Sequence, residues 1–89
     1  MIEREIKIIN KLGMHARAAA KFVHLASRFK SKVNVTKDGQ YVDGKSIMGI
    51  LMLAACQGSF ITLRVQGIDE KEAFGELEHL IRNRFGEEE

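Results

Sequence analysis

A histidine and an arginine two positions apart, His15 and Arg17, are the side chains in this sequence best suited to chemistry. They follow Gly13 in the stretch GMHARAAAK, which ends in a run of alanines. Alanine favours helix, so the sequence predicts a helix that begins at Ala16, directly after the histidine. A neutral imidazole is a nucleophile, and a guanidinium binds phosphate through two parallel hydrogen bonds. The pair therefore indicates a histidine that accepts a phosphoryl group.

The start of the predicted helix adds a second feature that favours an anion. The first N–H groups of a helix have no intrahelical partner, and the helix dipole places partial positive charge there. We expect the backbone of Ala16, Arg17 and Ala18 to bind the phosphoryl oxygens. The same dipole disfavours a protonated imidazole, which keeps His15 neutral. The alternative is that His15 is an ordinary polar residue at a helix end, and these principles alone leave both interpretations open.

The composition limits the class of protein. With 89 residues, the chain is expected to form a single domain over 1–89. No apolar run approaches the ~20 residues of a membrane span, and no signal peptide is visible, so we expect a cytoplasmic protein without membrane insertion. The single Cys56 is interpreted as a small packing residue. His24 and His79 have no partners at metal-ligand spacing, so no metal and no cofactor are expected.

The charge is distributed unevenly along the chain. Residues 1–45 carry ten Lys and Arg against four Asp and Glu, whereas residues 46–89 carry four against eight. A basic surface around His15 suits an acidic or phosphorylated partner. The overall charge of +2 and the presence of one tyrosine and no tryptophan argue against nucleic-acid binding. The three glutamates at 87–89 are interpreted as a solvated tail.

Hydrophobic periodicity predicts the elements that must position these residues. Apolar residues alternate with polar ones over 2–8, 32–36, 41–42 and 61–66, which indicates four strands. Arg4 is the one residue that interrupts the apolar face of the first strand. Helices are predicted to begin at Ala16, Ile47 and Asp69, which gives the order β-α-β-β-α-β-α. Because each strand has one apolar face, we predict an α+β two-layer sandwich whose antiparallel sheet is open to solvent on the other face.

Local signals predict one tight turn and three helix ends. They are a hairpin turn at 38–39 (DG), an N-cap at Ser46, a capping box formed by Asp69 and Glu72, and a C-terminal stop at Gly86.

The second predicted helix, IMGILML over 47–53, is apolar nearly all round. A short helix cannot bury every face in a small core, so we expect Ile47, Met48 and Leu51 to form an exposed patch that binds partners. The alternative is that these side chains are simply core. Ser46 likewise either only caps the helix or has a functional role as well.

Two stretches together, GMHAR at 13–17 and GKSIMG at 44–49, resemble the HPr phosphocarrier family of the bacterial phosphoenolpyruvate-dependent phosphotransferase system. The resemblance covers essentially the whole chain. It implies an open-faced two-layer β-sandwich, with a four-stranded antiparallel sheet covered on one face by three helices. It also implies that Enzyme I passes a phosphoryl group, which originates from phosphoenolpyruvate, to Nδ1 of His15. His15 would then donate it to an enzyme IIA, so the chain would be a carrier and not an enzyme.

The resemblance assigns roles to further residues. Arg17 matches the arginine that binds the phosphoryl group. Ser46 matches the serine that HPr kinase/phosphorylase modifies in some bacteria. The partner-docking surface is assigned to five residues: Ile47, Met48, Leu51, Lys21 and Lys45.

Two positions depart from the common family pattern. Met14 stands in place of leucine, and Ala18 stands in place of the proline that usually follows the arginine. Proline lacks only an N–H that has no helical partner, so alanine restores a donor and should not abolish activity. The stretch ARAAAKF is similar to the nitrogen-related branch of the family. In that branch the phosphoryl relay is regulatory instead of serving sugar transport. A mainly regulatory binding protein of the same fold is the alternative function.

Overall fold

The computed structural model describes all residues, 1–89, as one sheet and three helices. The strands are β1 (Ile2–Lys7), β2 (Lys32–Lys37), β3 (Gln40–Asp43) and β4 (Phe60–Gln66), and the helices are α1 (Ala16–Ala26), α2 (Ile47–Met52) and α3 (Glu70–Arg82). A short 3₁₀ turn follows at Arg84–Gly86. The strands pair in the order β1-β4-β2-β3, and every pairing is antiparallel. The predicted element order and the four-stranded antiparallel sheet are confirmed.

The core lies between one face of the sheet and the helices, as the alternating strands predict. Val33 and Val35 of β2 are buried, and so are the residues paired with them on β4, Val65 and Leu63. Phe22 of α1 packs in the same cluster and is fully buried. The opposite face of the sheet is polar except for the half-exposed Phe60. A hydrogen bond of 3.0 Å from Arg64 to the hydroxyl of Tyr41 crosses it.

The arginine that interrupts β1 has a structural explanation. Arg4 alternates with Ile6 and therefore points to the helix side of the sheet, at the edge strand. Its guanidinium lies 5.0 Å from the centre of the Phe74 ring and 3.0 Å from the carboxylate of Glu78. More than half of the side chain remains exposed. An edge position therefore lets the stem cover an aromatic ring of α3 while the charge stays in contact with water.

Two of the predicted local signals are confirmed. Asp38 and Gly39 have φ angles of 50° and 79°, and a type I′ hairpin turn requires positive values at both positions. Ser46 is the N-cap of α2, where its hydroxyl accepts the N–H of Gly49 at 3.0 Å. Both signals depend only on neighbouring residues, so the sequence alone is sufficient to predict them.

The predicted capping box at the start of α3 is wrong. Asp69 is the N-cap residue but makes no side-chain capping bond. Its carboxylate instead accepts the N–H groups of Lys30 and Ser31, each at 2.9 Å, and the Ser31 hydroxyl at 2.5 Å. Glu72 is exposed. The carboxylate is used to attach the start of α3 to the loop between α1 and β2, because that loop has N–H groups that need an acceptor.

The predicted stop at Gly86 is also wrong, because α3 ends earlier, at Arg82. Arg84 and Phe85 then adopt left-handed φ angles of 55° and 54°. Phe85 is fully buried. The chain turns before Gly86 because this turn places the Phe85 ring in the core.

Cys56 does not pack in the core, contrary to expectation, but is exposed in the loop before β4. Its neighbour Ala55 takes the buried position. No helix in the chain is both long enough and apolar enough to cross a membrane.

Candidate functional site

His15 is the N-cap residue of α1, as the sequence predicts. Its backbone is extended, with φ −74° and ψ 178°, and its side chain makes no capping hydrogen bond. Its carbonyl accepts the N–H of Ala19 at 2.8 Å, which is the first bond of the helix. About a quarter of the side chain is exposed. The imidazole therefore lies at the N-terminus of α1 but does not cap the helix.

The first N–H groups of α1, those of Ala16, Arg17 and Ala18, donate no hydrogen bond within the protein. Ala16 and Arg17 are exposed to solvent and available to a ligand, whereas Ala18 is fully buried. Unpaired N–H groups and the positive end of the helix dipole make this position suitable for an anion.

Two contacts fix the loop that carries His15. The N–H of Met14 donates to the carbonyl of Ala55 at 2.8 Å, and Met14 itself is buried. The side-chain amide of Asn10, which is fully buried, donates to the carbonyl of Gly13 at 2.9 Å. The loop is held from both sides, which limits the positions that the His15 imidazole can adopt.

The interpretation of the last glutamates as a solvated tail is wrong for Glu87. Its carboxylate accepts a hydrogen bond of 3.0 Å from Asn10 and is paired with Nε2 of His15. Glu89 also contacts the protein, since its carbonyl accepts the N–H of Lys11. Glu88 is exposed. No local signal in the sequence indicates these contacts, which follow from the burial of Phe85 just before them.

The carboxylate of Glu87 is in an environment that favours its charged form. Burial by itself would raise the pKa of Glu87. The hydrogen bonds from Asn10 and His15, together with the positive charge of Lys21, outweigh this effect and hold the pKa below its usual range. Glu87 therefore carries a negative charge beside the imidazole at neutral pH.

The guanidinium of Arg17 is not committed to a partner within the protein. The residue is exposed and lines an open groove together with Lys11, Leu12, Glu87 and Glu89. Because Glu87 also contacts His15, the groove adjoins the imidazole. An arginine here can donate two parallel hydrogen bonds to a phosphoryl group at the N-terminus of α1.

The expected docking residues lie in two different settings. Ile47 and Met48 of α2 are 40% and 70% exposed, whereas Leu51 is half-buried. Met52, which was not among the expected docking residues, is 63% exposed and belongs to the same helix. Solvent exposure makes the helix available, and a docking role for it stays a prediction.

The two lysines assigned to docking have their ammonium groups tied to the backbone. Lys21 donates to the carbonyl of Phe85 at 2.7 Å, and Lys45 donates to the carbonyl of Phe29 at 2.8 Å. Each therefore stabilises a chain turn, in addition to adding positive charge. The two other histidines, His24 and His79, are exposed on α1 and α3, and no cluster of three metal-ligating side chains occurs in the chain.

Comparison with protein families assigns this arrangement to a group. A family model described as "PTS HPr component phosphorylation site" matches residues 2–83. The phosphocarrier protein HPr of Cupriavidus necator is 55% identical over 89 residues, with 100% of both chains covered. That of Pseudomonas aeruginosa is 54% identical over 86 residues and covers 96% of each chain.

Comparison with solved structures also finds HPr proteins. HPr-C-His from Thermoanaerobacter tengcongensis superposes with a TM-score of 0.96, at 49% identity and with 100% of both chains covered. A phosphocarrier protein HPr from Bacillus anthracis has a TM-score of 0.86 at 40% identity, covering 90% of this chain and 95% of its own. The relatives do not specifically support the nitrogen-related branch.

Proposed function

Because the chain belongs to the HPr family of phosphocarrier proteins, we propose that His15 is the residue on which it carries the phosphoryl group. The protein is a carrier of the phosphoenolpyruvate-dependent phosphotransferase system, which passes a phosphoryl group through a histidine and is not itself a catalyst. The observation that supports His15 as this residue is its position at the N-terminus of α1, next to unpaired N–H groups. His24 and His79 lie within helices and have no such surroundings.

The transfer step uses a lone pair on the imidazole. Nδ1 of His15 attacks phosphorus, a nitrogen–phosphorus bond forms, and the bond from phosphorus to the donor atom breaks, so its electron pair remains on the donor. The N–H groups of Ala16, Arg17 and Ala18 and the guanidinium of Arg17 bind the oxygens of the transferred group. Transfer to the acceptor protein is the same step in reverse, with the electron pair returning to Nδ1.

The partners belong to the same system. Membership of the family implies an Enzyme I as donor and an enzyme IIA as acceptor. We propose that both dock on the α2 surface formed by Ile47, Met48 and Leu51, beside Lys21 and Lys45. Exposed methionine and isoleucine next to a basic region suit an acidic partner with an apolar pocket. The acceptor decides whether the output is sugar transport or nitrogen-related regulation.

Ser46 is proposed as a second, regulatory site that a partner such as HPr kinase/phosphorylase would modify. It is half-exposed and begins α2, the helix with the exposed apolar residues. A phosphate there would lie beside the proposed docking surface. A purely regulatory function through Ser46 is the second candidate, which is disfavoured by the intact surroundings of His15.

Phosphorylation by purified Enzymes I tests the proposal. The protein is mixed with phosphoenolpyruvate and with an Enzyme I of the sugar type or of the nitrogen-related type. Intact mass should show one phosphoryl group that is lost in mild acid. The group should be absent in His15→Ala and present in the matched controls His24→Ala and His79→Ala. No label on the folded parent protein with either Enzyme I would reject the carrier site.

Arg17 is tested in the same assay. A hydrogen bond to a charged group contributes about 1.5–3 kcal/mol, so Arg17→Gln should slow phosphoryl acceptance by about 10- to 100-fold. Arg82→Gln changes the same residue type on α3, where Arg82 pairs with Glu78, and should leave the rate unchanged. An equal rate in Arg17→Gln and the parent would remove Arg17 from the site.

A further inference from the structure

We propose that Glu87 is a positioning residue for His15, since its carboxylate holds the proton on Nε2 and so leaves Nδ1 with the lone pair that attacks phosphorus. The inference deepens the proposed function and rests on it. It assigns a role in the reaction to a residue that lies 72 positions from the histidine along the chain.

The geometry places the carboxylate against one ring nitrogen only. Oε2 of Glu87 is paired with Nε2 of His15, while Oε1 accepts the hydrogen bond from Asn10. The same amide group of Asn10 also donates to the carbonyl of Gly13, two residues before the histidine. Asn10 therefore fixes the carboxylate and the histidine loop relative to each other. Its complete burial prevents water from replacing either contact.

The position of Glu87 is set by the fold and not by chance contact of a mobile end. Phe85, two residues earlier, is fully buried, and its carbonyl accepts the ammonium of Lys21. The N–H of Glu87 donates to the carbonyl of Arg84 at 2.9 Å, which closes the turn. The side chain of Glu87 is only 18% exposed. A carboxylate held in this way can orient an imidazole, as carboxylates that accept the ring N–H of metal-bound histidines do in other proteins.

The chemistry follows from which ring nitrogen holds the hydrogen. An ionised carboxylate only accepts hydrogen bonds, so the ring nitrogen that faces it must carry a proton. In the neutral imidazole this leaves Nδ1 unprotonated and nucleophilic. When Nδ1 bonds to phosphorus, the ring becomes positively charged while Nε2 keeps its proton. The carboxylate stabilises that charge, as the aspartate does in serine-protease triads.

Other charges surround this pair and must be considered in any titration. Lys21 of α1 lies near the Glu87 carboxylate, and Arg17, Lys11 and Glu89 share the adjoining groove. The two ring nitrogens face different directions, so the carboxylate and the transferred phosphoryl group do not compete for one position. The positive groups reduce repulsion between Glu87 and the phosphoryl oxygens.

The test measures the tautomer of His15 directly in the unphosphorylated protein. Nitrogen-15 NMR of the neutral ring distinguishes a proton on Nε2 from one on Nδ1. We expect the parent to hold the proton on Nε2 and Glu87→Gln to show a mixture of the two forms. Phosphoryl acceptance in Glu87→Gln should be slower by about 10-fold, the equivalent of one charge-assisted hydrogen bond. Glu88→Gln removes the same charge at the neighbouring exposed position and should change neither property.

Each outcome separates this role from a structural one. Glu87→Ala, which removes both contacts, gives an independent measurement of the tautomer, and preserved amide spectra show that the variants are folded. An unchanged tautomer in both variants overturns the proposal, even if the rate falls, because a slower rate alone fits a structural role. If the tautomer shifts but the parent accepts no phosphoryl group on His15, the proposed function fails while the Glu87 contact stands.

Discussion

Gly13 and Cys56 lie so close that a side chain on the glycine would overlap the backbone next to the cysteine. A Cβ at Gly13 would be 2.8 Å from Cα of Cys56 and 2.5 Å from the carbonyl oxygen of Ala55. That same oxygen accepts the N–H of Met14. The loop that follows α2 therefore supports the loop that carries His15, and the glycine is needed for this contact as well as for its φ of +65°.

We expect Gly13→Ala to lower the free energy of unfolding by about 2–4 kcal/mol, since it adds overpacking against backbone to the cost of a left-handed alanine. Phosphoryl acceptance should also slow, because the His15 loop must shift. Gly39→Ala is the matched control, with φ of +79° and no atom within 4 Å of its Cβ. It should cost about 1–2 kcal/mol and leave acceptance unchanged. Equal losses of stability in urea denaturation would show that Gly13 is required for its φ alone.

A second prediction concerns Ala54, which follows the C-cap of α2 and has a φ of 49°. Helices usually place glycine at this position, because any Cβ is strained in the left-handed region. Ala54→Gly should raise the free energy of unfolding by about 0.5–1 kcal/mol, after allowance for the greater freedom of glycine in the unfolded chain. Ala20→Gly, within α1, should lower it by about 1 kcal/mol. A loss of stability in Ala54→Gly would contradict this account of the helix end.

The elements of this fold are predictable because their signals are local. The alternation in β2 and β4, the Asp38-Gly39 turn and the Ser46 cap each depend on residues within a few positions of one another. The errors share the opposite cause. The Asp69 carboxylate interacts with Ser31, which is far away in the sequence, and no local pattern predicts this contact. The contact of Arg4 with Glu78, which explains why an arginine interrupts β1, is long-range in the same way.

The functional site likewise contains residues that local signals predict and one residue, Glu87, that they do not. His15 and Arg17 are predictable because a helix start and two short motifs mark them in the sequence. Glu87 is not, since three consecutive glutamates are usually solvated, and here the buried Phe85 holds them next to Asn10 and His15. A large aromatic residue shortly before a charged end is the one available signal, and it indicates that the end is attached to the core without identifying the partner.

Acid should weaken the attachment of α3 to the α1–β2 loop. The hydrogen bonds from the Ser31 hydroxyl and from the N–H groups of Lys30 and Ser31 hold the pKa of Asp69 below its ordinary value of 3.8. A carboxyl group whose pKa is lower in the folded state stabilises the protein above the unfolded-state pKa, and this contribution disappears as the pH falls through the folded-state value. The loss should therefore begin near pH 4 and continue below it.

Thermal melts between pH 2 and 7 measure this effect. In Asp69→Asn the melting temperature should be lower than in the parent at pH 7, and the difference between them should shrink as the pH falls below 4. Asp38→Asn is the control, because Asp38 is exposed in the hairpin turn and contacts only Lys37. A difference between Asp69→Asn and the parent that stays constant over this pH range would mean that the Asp69 charge contributes nothing.

The last prediction separates the two roles of Ser46. Because its hydroxyl caps α2, Ser46→Ala should cost about 1 kcal/mol of stability, whereas Ser46→Asn and Ser46→Asp should retain the cap. The aspartate adds a negative charge beside the exposed Ile47 and Met48, which should oppose an acidic partner and slow phosphoryl acceptance from Enzyme I. Ser46→Asn has nearly the same shape without the charge and should accept at the parent rate. Slow transfer in both variants would assign the effect to helix geometry, and equal rates in Ser46→Asp and the parent would remove the basis for regulation by charge at this position.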